Sequence, residues 1–120
     1  MKETEKKTGP GTTRARAPKQ AKAASGCSDS HCPFHGSLSV RGRVFTERVT
    51  SAKSHRTATV LIEWRNYIKK FERFEKRRKR LHVHNPDCIN AREGDIVKVM
   101  ECRPISKTKN FVIIEKVTKQ

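Results

Sequence analysis

What this 120-residue chain lacks narrows its class first. Only 33% of its residues are hydrophobic and 6% aromatic, against roughly 45–50% apolar residues in ordinary globular chains, so any core is small and part of the chain cannot bury enough surface to order by itself. No stretch approaches the ~18 apolar residues of a membrane-spanning helix, and no apolar segment resembling a secretory leader follows the start, so a membrane partner is not expected and a cytoplasmic location is. A glycine-rich phosphate loop is missing too: Gly9, Gly11 and Gly26 precede no strand–helix unit, and Gly94 stands alone. Catalytic constellations are equally scarce. Glu93 and Asp95 share a turn with no apolar pocket to raise a carboxyl pKa, and Cys32 with His35 lacks an orienting third group. Neither an enzyme activity nor a small-molecule substrate is therefore expected.

Negative charge is the last scarcity. Twelve Asp and Glu face 28 Lys and Arg, a formal net charge of +16. Such an excess repels itself in a compact chain, and a polyanion, nucleic acid above all, is its natural counterpart. The length fits one domain and an extension. Residues 1–26 carry seven basic and two acidic side chains and no Leu, Ile, Val, Phe, Trp or Tyr, which predicts a basic N-terminal tail, disordered when free. Residues 27–37 form a Cys- and His-containing lead-in, and residues 38–120 the folded domain. Within that domain, Arg65 to Arg80 holds nine basic and two acidic residues.

Strand signals dominate. Ala58, Val60, Ile62 and Trp64 alternate with polar neighbours over residues 57–65, and Leu38 to Val49 reads the same way with Gly42 marking a bulge or bend. Arg80 to His84 alternates until the turn signal Asn85-Pro86; Asp95 to Arg103 and Asn110 to Val117 complete five strands. Five strands at this spacing predict an all-β fold, a small closed or nearly closed barrel. Between the second and third strands, residues 65–80 read as an irregular, partly extended loop in preference to a helix, because so many like charges repel along a helix.

Three groups of side chains suit RNA. Trp64, Tyr67, Phe71 and Phe74 are interleaved with Arg65, Lys69, Lys70, Arg73, Lys76, Arg77, Arg78, Lys79 and Arg80, a mixture that neutralises phosphates while planar groups stack on bases. Trp64 and at least one Phe are expected to pack into the barrel instead. Two loops, Lys53-Ser54-His55-Arg56 and Arg103 through Ser106, Lys107, Thr108 and Lys109, combine hydroxyls with cations in the manner of phosphate and 2′-hydroxyl contacts. The four cysteines of a cytoplasmic protein are expected to be reduced. Cys27, Cys32 and Cys88, with His35 or His31, could supply the four N/S ligands of tetrahedral zinc if two turns meet; reduced thiols that pack the start of the domain are the other reading. Cys102 reads as a core residue.

The string Gly94-Asp95-Ile96-Val97-Lys98-Val99-Met100-Glu101-Cys102-Arg103-Pro104-Ile105-Ser106-Lys107-Thr108-Lys109 closely resembles the signature of the small-subunit ribosomal protein S-seventeen family. The resemblance runs upstream through Leu81-His82-Val83-His84 and Lys53 to Val60 as far as Val40-Arg41-Gly42-Arg43-Val44, and covers residues 38–117. The segment Cys27 to Gly36, with Cys32-Pro33-Phe34-His35-Gly36, and the run Tyr67 to Arg77 resemble the archaeal and eukaryotic branch, with Cys27, His35 and the Cys88 turn closer to the archaeal form. The resemblance implies a five-stranded oligonucleotide/oligosaccharide-binding (OB-fold-like) barrel with a long basic insertion and an N-terminal basic extension. It implies a non-enzymatic constituent of the small subunit that binds 16S-type ribosomal RNA directly, supports subunit assembly, neighbours other ribosomal proteins and is not a homo-oligomer. By position, the family's RNA-facing residues correspond to Lys53-Ser54-His55-Arg56, to the basic stretch and to Arg103, Ser106, Lys107 and Lys109; Arg41, Arg43 and His82 are further RNA-binding candidates. Zinc is not general in that family, so no cofactor is required. A free single-strand-binding or RNA-chaperone barrel and a zinc-dependent nucleic-acid-binding regulator are the alternatives.

Overall fold

The computed structural model describes residues 15–16 and 27–117. Most of the expected basic tail lies outside the described residues. The described residues form six strands: β1 (Ala15–Arg16), β2 (Val40–Ser51), β3 (Thr57–Ile68), β4 (Arg73–His84), β5 (Ile96–Cys102) and β6 (Lys109–Val117). Among the described residues, only Lys69–Phe71 is helical, a single 3-10 turn.

Antiparallel pairing joins β2 to β3, β3 to β4 and β5 to β6, while β4 and β6 run parallel. A further antiparallel pairing of β2 with β5 closes the ring, so the barrel-forming parts of the five long strands make an OB-like barrel, while the outer halves of β3 and β4 pair only with each other. The two-residue β1 lies outside that ring, opposite Arg41 and Gly42 of β2.

Alternation along the strands explains where the core sits. Val49, Ala58, Val60, Val83, Val97, Val99 and Ile113 point inward and, with Ala91, fill the barrel. On β5 and β6 the opposite face is apolar as well: Met100, Val112 and Ile114 pack with Leu38 and Val40, flanked by Phe34. The end of the lead-in, with Phe34, and Leu38 just after it therefore cover the outside of β5 and β6. Each buried aliphatic side chain contributes about 1.5–3 kcal/mol of transfer free energy, so this second cluster holds the lead-in firmly.

Gly42 does mark a bulge. Val40 faces Cys102 while Val44 faces Met100, so β2 spends extra residues against β5. Its φ of 125° suits glycine, and a Cβ there would meet Glu101 Oε2 at 2.8 Å.

Residues 65–80 are neither the expected irregular loop nor a helix. β3 and β4 pair without interruption from Thr57↔His84 to Ile68↔Arg73, and the chain reverses through the 3-10 turn and Glu72, whose φ is 49°. Strand-favouring Trp64, Tyr67, Ile68 and Phe74 support this hairpin, and pairing sets charges on two faces open to water rather than crowding them on a helix.

Candidate nucleic-acid interface and a cysteine–histidine cluster

Past the barrel, the β3–β4 hairpin becomes a two-stranded arm. Glu63 to Tyr67 are all exposed on β3, and from Arg73 to Arg80 on β4 only Glu75 is half-buried. The six pairs from Glu63↔Arg78 to Ile68↔Arg73 carry it roughly 20 Å beyond the barrel. Trp64 is 44% exposed, Tyr67 48%, Phe71 63% and Phe74 68%. The expectation that Trp64 and a phenylalanine of this stretch pack into the barrel is thus overturned: the strands leave the barrel before these residues are reached.

Cross-strand partners share a face. One face of the arm carries Tyr67 beside Phe74, Arg65 beside Lys76, and Glu63 beside Arg78. The rings of Tyr67 and Phe74 lie 5.1 Å apart at 54°. The same face continues onto the barrel through Leu61–Arg80 and Thr59–His82, and the β4–β6 pairing adds Lys109 next to His82. Lys76, Arg78, Arg80, His82 and Lys109 thus form one basic stripe. The other face carries Trp64–Arg77, Asn66–Glu75 and Ile68–Arg73. A cleft of about 480 Å³ opens beside Trp64, Arg65, Lys76 and Arg77. At the tip, Lys69 and Lys70 belong to the 3-10 turn, and Lys70 Nζ stands 5.4 Å from the centre of the Phe71 ring. Lys79 is exposed on the Trp64 side.

Both expected loops are on the surface. Lys53, Ser54 and His55 are exposed between β2 and β3, above a cleft of about 310 Å³ shared with Asn85, Asp87 and Asn90. Arg56, from the same loop, turns inward: its Nε and Nη2 donate to Asp87 Oδ2 at 2.9 and 2.6 Å, and Nη1 lies 3.8 Å from Asp29 Oδ1. Between β5 and β6, Arg103, Lys107 and Thr108 are exposed, whereas the Ser106 hydroxyl accepts the Lys109 N–H at 3.2 Å and shapes its own loop. Lys109 Nζ donates to Thr57 Oγ1 at 3.2 Å, and His82 Nδ1 lies 3.3 Å from Thr59 Oγ1. Arg41 and Arg43 are exposed on β2 beside the bulge; the backbone N–H of Arg43 donates to Glu101.

The lead-in and the Pro86–Asn90 turn meet at the other chemical feature. Cys27, Cys32, His35 and Cys88 bring one donor atom each to within 4.8 Å of one another. Cys32 Sγ is 3.6 Å from Cys88 Sγ and 3.5 Å from His35 Nδ1. Burial, then the hydrogen bond and charge of Cys32, push the Cys88 thiol up to about 12. His31, the alternative fourth member, is drawn elsewhere: its N–H donates to Asp29 Oδ1, and its ring packs edge-on against His84. Cys102 is half-buried against the second apolar cluster, apart from the other three thiols.

Two supports under this region have no counterpart among the candidate residues named from sequence. Asp29 is 2% exposed and hydrogen-bonds His84 Nε2 at 2.5 Å. Burial pushes its carboxyl up, but the His31 N–H, the His84 ring and Arg56 outweigh burial and hold it below the ordinary carboxylate value. Asn85 Nδ2 donates to the Ala91 carbonyl, and its Oδ1 accepts the Ala91 N–H, both at 3.0 Å. The only sequence signal for either was the turn at Asn85-Pro86.

Fold and surface together define an OB-like barrel with a basic, aromatic-tipped arm, an architecture suited to binding polyanions. The chain belongs to the ribosomal protein S17 family, whose family description, "Ribosomal protein S17", matches residues 47–115. It is similar to the small ribosomal subunit protein uS17 of Methanococcus maripaludis, with 61% identity over 90 residues that span 75% of this chain and 83% of that one. The uS17 of Methanocaldococcus jannaschii is 58% identical over 76% of this chain and 78% of its own, and that of Archaeoglobus fulgidus 55% over 76% and 81%.

Proposed function

We propose that this chain is a non-enzymatic structural constituent of the small ribosomal subunit, in the cytoplasm, where it binds small-subunit ribosomal RNA directly beside neighbouring ribosomal proteins. Its family membership and relatives named small ribosomal subunit protein uS17 support the assignment. The observation that carries the RNA contact is the arm: a two-stranded ribbon, alone marginal in water, that leaves four aromatic rings exposed among nine cations. Stacking on unpaired bases and neutralising phosphates are the uses of that surface, and shape rather than base sequence is what it reads. Lys53, Ser54 and His55, and Arg103, Lys107 and Thr108, extend the contact as phosphate-facing loops; Arg41 and Arg43 lie beside the bulge for the same use. Arg56 acts indirectly, by holding the β2–β3 loop against Asp87.

Gradient sedimentation of cell extract tests the assignment. Stoichiometric co-migration with the small subunit is expected, and a mostly free pool would overturn it in favour of a single-strand-binding or chaperone role.

A further inference from the structure

We propose that Cys27, Cys32, His35 and Cys88 form a structural zinc site that fastens the lead-in to the β4–β5 turn. Three of these donors lie outside the 47–115 span that the family description matches, on the lead-in rather than on a strand of the barrel.

The donor chemistry is that of a closed tetrahedral centre: three sulfurs and one imidazole nitrogen, with no position left for a reacting ligand. Zn–S and Zn–N bonds of about 2.3 and 2.0–2.1 Å place tetrahedral donors roughly 3.8 Å apart for two sulfurs and about 3.6 Å for sulfur and nitrogen. The distances here are 3.6 Å for Cys32–Cys88 and 3.5 Å for Cys32–His35. Reduced thiols that merely fill a core have no reason to converge on an imidazole. A Cys32–Cys88 disulfide would use two members and leave Cys27 and His35 without a role.

The backbone around the donors is built to hold them. Cys32 N–H donates to Asp29 O at 3.2 Å, and Gly36 N–H to Cys32 O at 2.9 Å, which folds Cys32 and His35 onto one side of a tight loop. Only glycine fits at position 36, because a Cβ there would meet the Ser30 carbonyl oxygen at 2.3 Å. On the other wall, the N–H groups of Ile89 and Asn90 both donate to Pro86 O, and Asn85 clamps Ala91, so Cys88 sits in a rigid turn. Outside the donors, Asp29 links to His84 and Arg56, bracing both walls. Metal binding would cross-link residues 56 positions apart and tether the lead-in to the barrel end that also carries the β2–β3 loop.

The test uses the full chain, purified under reducing conditions, stripped with a chelator and titrated with Co(II), then Zn(II). One Co(II) per chain is expected, with tetrahedral visible bands, sulfur-to-metal charge transfer and displacement by one Zn(II). Because Cys32 is buried and its replacement risks the fold, exposed His35→Ala is the informative variant; it should weaken Zn(II) binding at least tenfold with unchanged circular dichroism. Cys102→Ser should keep one metal per chain. Absence of tetrahedral bands with all four thiols reactive in native buffer would overturn the proposal. So would a mass showing a Cys32–Cys88 disulfide in protein isolated without reductant and free of metal.

Discussion

Asn85 has few neighbours in sequence that advertise it, yet its side chain satisfies both backbone groups of Ala91, which is 1% exposed. Replacing Asn85 with Ala would leave a buried N–H and a buried carbonyl unpaired, a cost of about 2–4 kcal/mol. A lower urea midpoint at an unchanged m-value is the expected result; a shift under about 0.5 kcal/mol would show that water replaces the clamp. Glu47 presents the opposite case. Burial first, then the charge of Glu63, raises its carboxyl above 4.5. The folded chain therefore holds that proton more tightly than the unfolded one, so this group's stability contribution is full below 4.5 and lost as pH rises through the folded value. Glu47→Gln should melt above wild type at pH 7, and thermal scans should show the gap closing near pH 3, where both side chains are neutral.

Individual strands were legible because they bury one face. Val60, Val97 and Ile113 betray their strands by alternation, and the boundaries of β2, β3, β5 and β6 differ from expectation by at most three residues. β4 is the exception: it begins at Arg73 rather than Arg80 because its first half pairs in solvent, where no apolar period is needed and only the partner strand sets the conformation. The cysteine cluster was half legible for a similar reason. Spacing named three thiols, but the choice of His35 over His31 depends on Asp29, which hydrogen-bonds the His31 N–H and lies beside its ring. The exposure of the arm sets up a separation of effects. Trp64→Ala, or Tyr67→Ala with Phe74→Ala, should change barrel stability by no more than about 0.5 kcal/mol. RNA affinity should fall by about 1–3 kcal/mol for each base that loses its stacking partner. Paired urea and binding measurements decide; a large stability loss with intact binding would make these rings structural.

Across the whole molecule, stability and charge occupy different places. None of the buried core residues falls between Trp64 and Arg77, whereas that segment holds six basic and two acidic residues. Since Glu63 faces Arg78 across the ladder, residues 64–77 can be replaced by an Asn-Gly turn, which suits a two-residue hairpin. The trimmed chain would have a net charge of +12 instead of +16. Its barrel should unfold cooperatively within about 1 kcal/mol of the parent, because the easier closure of a shorter connection offsets the little packing that an exposed arm supplies. RNA binding should change in kind: each phosphate contact removed lowers the slope of log K against log salt by about 0.7–0.9, so deleting up to six cations flattens it by as much as about 4–5 units. An unchanged slope in the folded, trimmed protein would place the polyanion on the two loops and the β4 stripe near Arg80 and Lys109 alone, and would leave the arm to contact protein neighbours instead.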